Sequence, residues 1–141
     1  MNYQILQDPY FGTLTLAPDK EEHCYYLHKS LTLEELPNEL ELYLQCSRAY
    51  PNSYHKLTYE FIIKNFSSLW ENALNYLIQS GVGNNINQLR KAYYPASITI
   101  IETINSSQLP WELELLHSES FISSLSVEFI NTTPLHYYVQ A

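Results

Sequence analysis

Histidine is the residue type in this chain with the widest chemical repertoire, since it binds metal ions and acts as an acid or a base. The five histidines are His23, His28, His55, His117 and His136. None of their spacings is the HxH, HxxxH or HExxH that brings two imidazoles to one face of a strand or helix. His117 lies two residues before Glu119 and could act as a base, but no nucleophile or oxyanion donor is near it in sequence. The sequence therefore predicts no metal ion and no catalytic histidine.

Glycine-rich loops, which bind phosphate groups, are missing from the sequence. The chain contains three glycines, and its close pair, Gly81 and Gly83, follows a predicted helix instead of preceding one. A P-loop and a dinucleotide-binding turn both need glycines before a helix N-terminus. The serines Ser123 and Ser124 lack the flanking glycines of a nucleophile elbow. We therefore predict no cofactor and no enzymatic activity.

Acidic residues are distributed unevenly along the chain. Residues 1–91 contain ten Asp or Glu and all seven Lys or Arg, whereas residues 92–141 contain five Glu and no Lys or Arg. A carboxylate surface that also carries tyrosines is typical of a binder for a basic protein, because opposite charge raises the association rate. Charge that only keeps the protein in solution would give the same distribution. The predicted partner-binding residues are Glu112, Glu114, Glu119, Glu128, Tyr137 and Tyr138.

Length and composition limit the class of protein. A chain of 141 residues that is 45% hydrophobic predicts a single domain, 1–141, that can bury its own core. The net charge of −8 disfavours binding to nucleic acid and to anionic membranes. The sequence shows neither a signal peptide nor a membrane span, so we expect a cytoplasmic protein. Cys24 and Cys46 are then expected to be reduced, although a bridge remains geometrically possible if they lie on adjacent strands.

The spacing of apolar residues divides the chain into strands, then helices, then strands again. Alternation of apolar and polar residues to about Cys46 predicts strands, and the clearest covers residues 39–45. Apolar residues three and four apart predict a long helix over 53–79 and a shorter one over 86–93. Four short strands follow between residues 97 and 139. The predicted fold is α+β, with an antiparallel sheet of about six to seven strands and one long and one short helix packed on one face.

Three short segments are similar to segments of a known family. They are DPYFGTL at 8–14, WELEL at 111–115 and SLSVE at 124–128, with Phe121 before the last. They resemble small acidic bacterial immunity proteins, which are encoded beside polymorphic or contact-dependent toxins. The resemblance implies a cytosolic antidote that binds one cognate toxin domain and blocks its active site or an essential surface. If that toxin is a nuclease, its cleft is basic, and glutamates of this chain could occupy the cleft in place of phosphates.

Two other interpretations stay open. A small ligand-binding domain would hold an apolar molecule between helix and sheet, in a concave pocket lined by Tyr and Trp. An adaptor would instead extend its sheet through an edge strand, for which residues 135–139 are the candidate.

Overall fold

The computed structural model describes residues 4–18, 24–119 and 123–140. His23 and Phe121 lie outside the described residues. The strands are β1 (Gln4–Asp8), β2 (Gly12–Pro18), β3 (Tyr25–Leu31), β4 (Leu40–Cys46), β5 (Tyr93–Ile100), β6 (Pro110–His117), β7 (Ser124–Ile130) and β8 (Thr133–Gln140). The helices are α1 (Ser53–Gln79) and α2 (Ile86–Ala92), which both lie between β4 and β5. In the described part of the chain, no helix is both long and apolar enough to cross a membrane.

The eight strands form one sheet in the order of the chain. All neighbouring strands are antiparallel except β4 and β5, which are parallel. A parallel pair needs a long connection, and α1 and α2 supply it. The prediction of an α+β fold with two helices is confirmed. The predicted strand count was too low, because β1 has two adjacent apolar residues, Ile5 and Leu6, instead of an alternating pattern.

One face of the sheet packs against the helices and forms the core. Leu42 and Leu44 of β4 pair with Ile98 and Ile100 of β5, and all four are at most 1% exposed. The buried stripe of α1 lies against this face and includes Ile62, Phe66, Leu69, Ala73, Leu74 and Leu77. Burying one such leucine or isoleucine stabilises a fold by about 1.5–3 kcal/mol. This burial fixes which face of each strand is turned away from the helices.

Helix α1 begins with a capping box, and one of its two residues, His55, also bonds to the end of β4. The Asn52 Oδ1 atom accepts the backbone N–H groups of Tyr54 at 2.9 Å and of His55 at 3.1 Å. The His55 Nδ1 atom accepts the backbone N–H of Asn52 at 3.0 Å, and its Nε2–H donates to the Gln45 carbonyl oxygen at 2.7 Å. These two partners require neutral His55 with its proton on Nε2. Burial accordingly lowers the pKa of His55.

The sequence also determines where α1 bends and where it ends. Asn65 leaves helical geometry at φ −117° and ψ 15°, and its Nδ2 donates to the Phe61 carbonyl oxygen at 2.8 Å. Asparagine side chains compete with the helical backbone in this way. At the C-terminus Gly81 has φ 90°, and the Val82 N–H donates to the Leu77 carbonyl oxygen at 2.8 Å. This is a Schellman cap, which needs the left-handed conformation that glycine adopts without strain.

The two cysteines lie on opposite faces of the sheet. Cys46 is buried on the helix-facing side and is the register partner of Tyr25. Cys24 immediately precedes β3, and its sulfur accepts from Gln45 Nε2 at 3.8 Å on the other side. Both thiols are free. The disulfide that the sequence left possible is therefore not formed. Cys46 is paired with Tyr25, and Cys24, the residue before Tyr25, points to the other face of the sheet.

Candidate partner-binding face

The face of the sheet that is turned away from the helices carries two continuous rows of mainly polar side chains, and we call it the open face. The first row crosses from β3 to β8 through His28, Tyr43, Thr99, Glu112, Glu128 and His136. The second row runs beside it through Ser30, Glu41, Ser97, Glu114, Ser126 and Tyr138. Because successive side chains of a strand point to opposite faces, these residues lie on the other side of the sheet from the buried leucines.

The open face carries four carboxylates, which are Glu41, Glu112, Glu114 and Glu128. Among the described residues, no Lys or Arg belongs to either row. The lysine nearest in sequence, Lys29, pairs with buried Leu42, and its Nζ donates to the Phe11 carbonyl oxygen at 2.8 Å. A field of one sign therefore extends across β4, β6 and β7, where it attracts a positively charged surface.

Two of these carboxylates face each other directly. Glu112 of β6 and Glu128 of β7 are register partners. The Tyr138 hydroxyl donates to Glu112 Oε1. Burial, followed by this bond to Glu112, raises the pKa of Tyr138 to about 12, so its hydroxyl stays a donor at neutral pH. Glu128 is exposed, and its carboxylate has no hydrogen bond or ion pair with another side chain in the described part of the chain.

The other two carboxylates have partners of their own. His28 Nε2 pairs with Glu41 Oε2, and the His28 ring stacks on Tyr43 with 4.9 Å between centroids. Ser97 Oγ donates to Glu114 Oε1 at 3.2 Å. Burial raises the pKa of Tyr43, and the charges of Glu41 and Glu114 add to that effect. Glu41 and Glu114 thus have side-chain hydrogen-bond partners, whereas the Glu128 carboxylate has none among the described residues.

An apolar groove lies beside the facing glutamates. It has a volume of about 300 Å³ and is lined by Ile101, Pro110, Trp111, Glu112, Glu128, Phe129, Ile130 and Leu135. Leu135 reaches it through a β-bulge, since His136 pairs with Glu128 and Pro134 with Phe129, which leaves Leu135 as the extra residue of β8. Leu135 is 57% exposed. The groove thus combines an apolar wall with a pair of carboxylates.

The structure places four of the six predicted residues on the open face, and these are Glu112, Glu114, Glu128 and Tyr138. Tyr137 lies on the opposite side, where its ring packs edge-on against Tyr76 of α1 at 6.2 Å. Glu119 follows the end of β6 and lines a separate pocket of about 230 Å³ together with Lys91 and His117.

Sequence reasoning did not assign His28, Glu41 and Tyr43 to the partner-binding residues, although all three lie on the open face. The alternation of β4 does place Glu41 and Tyr43 on its polar side. What the sequence does not show is that β4 lies beside β5, because a parallel pair is joined through a crossover and leaves no local turn signal.

The reactive side chains among the described residues, which are His117, Ser118 and Cys46, are held in structural hydrogen bonds or buried. The His117 Nδ1 atom accepts the Glu119 backbone N–H at 3.1 Å, and the Ser118 hydroxyl donates to the Lys91 carbonyl oxygen at 2.9 Å. Burial raises the pKa of the Cys46 thiol to about 12, which keeps it protonated beside neutral His55. Among the described residues, no three His, Cys, Asp or Glu side chains converge to hold a metal ion.

The open face is therefore the strongest candidate site in the described part of the chain. Its features are four carboxylates, stacked or hydrogen-bonded aromatic side chains and one apolar groove. No protein-family model, curated protein or solved structure matches this chain, so the assignment depends on the geometry of the face alone.

Proposed function

We propose that this chain is a toxin-neutralising immunity protein that binds a basic toxin domain through its open face. The observation that carries the proposal is that Glu41, Glu112, Glu114 and Glu128 of β4, β6 and β7 share one face, whose two rows contain no Lys or Arg among the described residues. In designed surfaces charges of both signs are interspersed, and a large field of one sign is reserved for steering a partner. The resemblance of the segments at 8–14, 111–115 and 124–128 to immunity proteins supports the same conclusion.

The proposed mechanism is competitive occupation of the toxin. The carboxylates steer a basic cleft toward the sheet and accelerate association. Tyr43 and Tyr138, with hydroxyls that stay neutral because their pKa values are raised, add contact area and hydrogen-bond donors. If the toxin is a nuclease, the glutamates take the places of substrate phosphates. Neither a catalytic group nor a cofactor is part of the proposal, and the protein acts in the cytoplasm.

The test is capture of the toxin domain encoded beside this chain, with matched charge variants. The face variant carries Glu112→Gln, Glu114→Gln and Glu128→Gln. The control variant carries Glu34→Gln, Glu35→Gln and Glu71→Gln, which removes the same charge from exposed positions off the open face. We expect the face variant to bind far more weakly than the control, with a weaker dependence on salt. Equal binding by the two variants, or no binding by the unmodified chain, would contradict the proposal.

A second candidate function is an adaptor that extends its sheet through β8. The observation in its favour is that β8 pairs on one side only within the described sheet and exposes Leu135 at 57% and Val139 at 62%. Apolar side chains on an edge strand promote pairing with another strand. Sedimentation at high protein concentration tests it: dimers that Val139→Lys abolishes would support the adaptor, and a strict monomer would contradict self-pairing.

A further inference from the structure

We propose that the apolar groove at the end of the open face receives one arginine side chain of the basic partner. The aliphatic stem lies along Ile130 and Leu135, and the guanidinium lies between Glu112 and Glu128. This inference rests on the proposed function, and it adds which side chain of the partner is recognised and where.

The groove has the two parts that an arginine side chain needs. Its wall is formed by apolar residues, which are Ile101, Pro110, Ile130 and Leu135, and its polar side is formed by Glu112 and Glu128. Arginine buries its methylene stem against apolar surface while its head group stays with polar partners. A volume of about 300 Å³ accommodates one long side chain and falls at the lower limit for a drug-sized molecule.

The facing glutamates present acceptors in the right number and place. Oε1 of Glu112 already accepts from Tyr138, which leaves its second oxygen, and Glu128 has both oxygens unpartnered among the described residues. Side chains directly opposite on antiparallel strands have Cβ atoms about 4.5–5.5 Å apart. A planar guanidinium with donors on two edges can therefore reach both carboxylates.

Arginine fits this arrangement better than lysine. Its five donors lie in a rigid plane and form paired hydrogen bonds with carboxylates, whereas a lysine ammonium is a compact and strongly hydrated charge. The guanidinium is also more weakly hydrated, so it loses less on entering a half-apolar groove. The β-bulge supports the assignment, since it turns Leu135 to the groove and so completes the apolar wall.

The test uses a defined peptide probe and the intact chain. A capped pentapeptide, Gly-Ser-Arg-Ser-Gly, is titrated into the ¹⁵N-labelled protein, with matched peptides that carry lysine or citrulline in place of arginine. We expect shift changes centred on the backbone amides of Ile101, Ile130 and Leu135. The arginine peptide should bind more tightly than the lysine peptide, and the citrulline peptide should not bind.

Three variants locate the binding. Glu128→Gln should weaken the arginine peptide about tenfold, because it removes one charge-assisted pair. Leu135→Ser, at a largely exposed position, should weaken it severalfold by removing part of the apolar wall. Glu35→Gln, at an exposed position off the open face, should have no effect. Equal weakening by Glu35→Gln and Glu128→Gln, equal binding of the lysine and arginine peptides, or shift changes centred elsewhere would overturn the assignment.

The experiments distinguish a wrong arginine assignment from a wrong proposed function. If the toxin is captured and the triple-glutamine face variant loses it, while the peptide does not contact the groove, the proposed function stands and the arginine assignment is wrong. If the peptide binds in the groove and no basic toxin is captured, the assignment is supported and the proposed function fails.

Discussion

Replacing Glu128 by glutamine should make the protein more stable, although it removes a residue of the candidate site. Glu112 and Glu128 are register partners on β6 and β7, so their Cβ atoms are about 5 Å apart. Two like charges at that distance in water repel each other by about 0.8 kcal/mol. Like charges directly opposite on a sheet are destabilising, and favourable cross-strand pairs contribute about 0.2–1 kcal/mol, which sets the scale of the effect. We therefore expect Glu128→Gln to raise the free energy of unfolding by about 0.5 kcal/mol at pH 7 and low salt.

Urea denaturation followed by circular dichroism measures this gain. With a slope of about 2 kcal/mol per molar urea, the midpoint should rise by about 0.25 M. Salt at ~1 M shortens the screening length to ~3 Å, so most of the difference between wild type and variant should disappear there. The control Glu71→Gln removes the same charge from an exposed position of α1 and should change the midpoint little.

Three results would refute the reasoning. The first is that Glu128→Gln destabilises the fold, which would show that Glu128 makes a stabilising contact. The second is a gain that does not change with salt, and the third is an equal gain from Glu71→Gln, because both would assign the effect to something other than the facing pair. A confirmed gain would mean that the protein keeps a pair that lowers its stability, as expected where a surface serves binding.

Three further predictions concern individual residues. Burial lowers the pKa of His55 below its value in the unfolded chain, so the free energy of unfolding should be highest above pH ~6.5 and fall as the pH drops below that value. His55→Gln keeps an acceptor for the capping box, and in urea denaturation at several pH values it should show a weaker fall of stability with falling pH. Because the pKa of Tyr138 is raised to about 12, its stabilisation should be lost between pH ~10 and 12, and Glu112→Gln should lower that pKa in an NMR titration. Asn131 has φ 54°, and its side chain makes hydrogen bonds of 2.9 Å with the backbone of Leu109 and of Ser107. Asn131→Ala should lower the free energy of unfolding by about 2–3 kcal/mol, because both bonds are lost and alanine is strained at a positive φ. Asn131→Gly loses the bonds without that strain, so it should lower the free energy of unfolding less; thermal or urea unfolding measures both.

Local periodicity predicted α1 well because several independent local signals agree along it. Its apolar stripe, its start at Ser53 and the glycine after Gln79 all agree, and the observed bounds are Ser53–Gln79. Strand β1 has no such agreement. Ile5 is 69% exposed there, and the strand is held by its pairing with β2, which its own pattern does not reveal.

The candidate site was predictable only in part, for two physical reasons. Tyr137 and Tyr138 were both predicted to bind the partner, although adjacent residues of a strand point to opposite faces of the sheet. Only Tyr138 lies on the open face, and Tyr137 packs on α1. Glu41 was seen as a solvent-facing residue of its own strand, but its alignment with Ser97 and Glu114 depends on a pairing between segments that α1 and α2 separate. Pairing across such a connection is a property of the whole fold.

The parallel pair of β4 and β5 has a consequence for the order of folding. Strands β1–β4 and β5–β8 are each linked by short connections, so each set can form from contacts that are local in sequence. The pairing of β4 with β5 must instead close a loop that contains both helices, and the entropic cost of closure rises with loop length. We therefore expect this pairing to form late. Glu41 comes from the first set and Glu112, Glu114 and Glu128 from the second, so the complete acidic surface exists only after the slowest step.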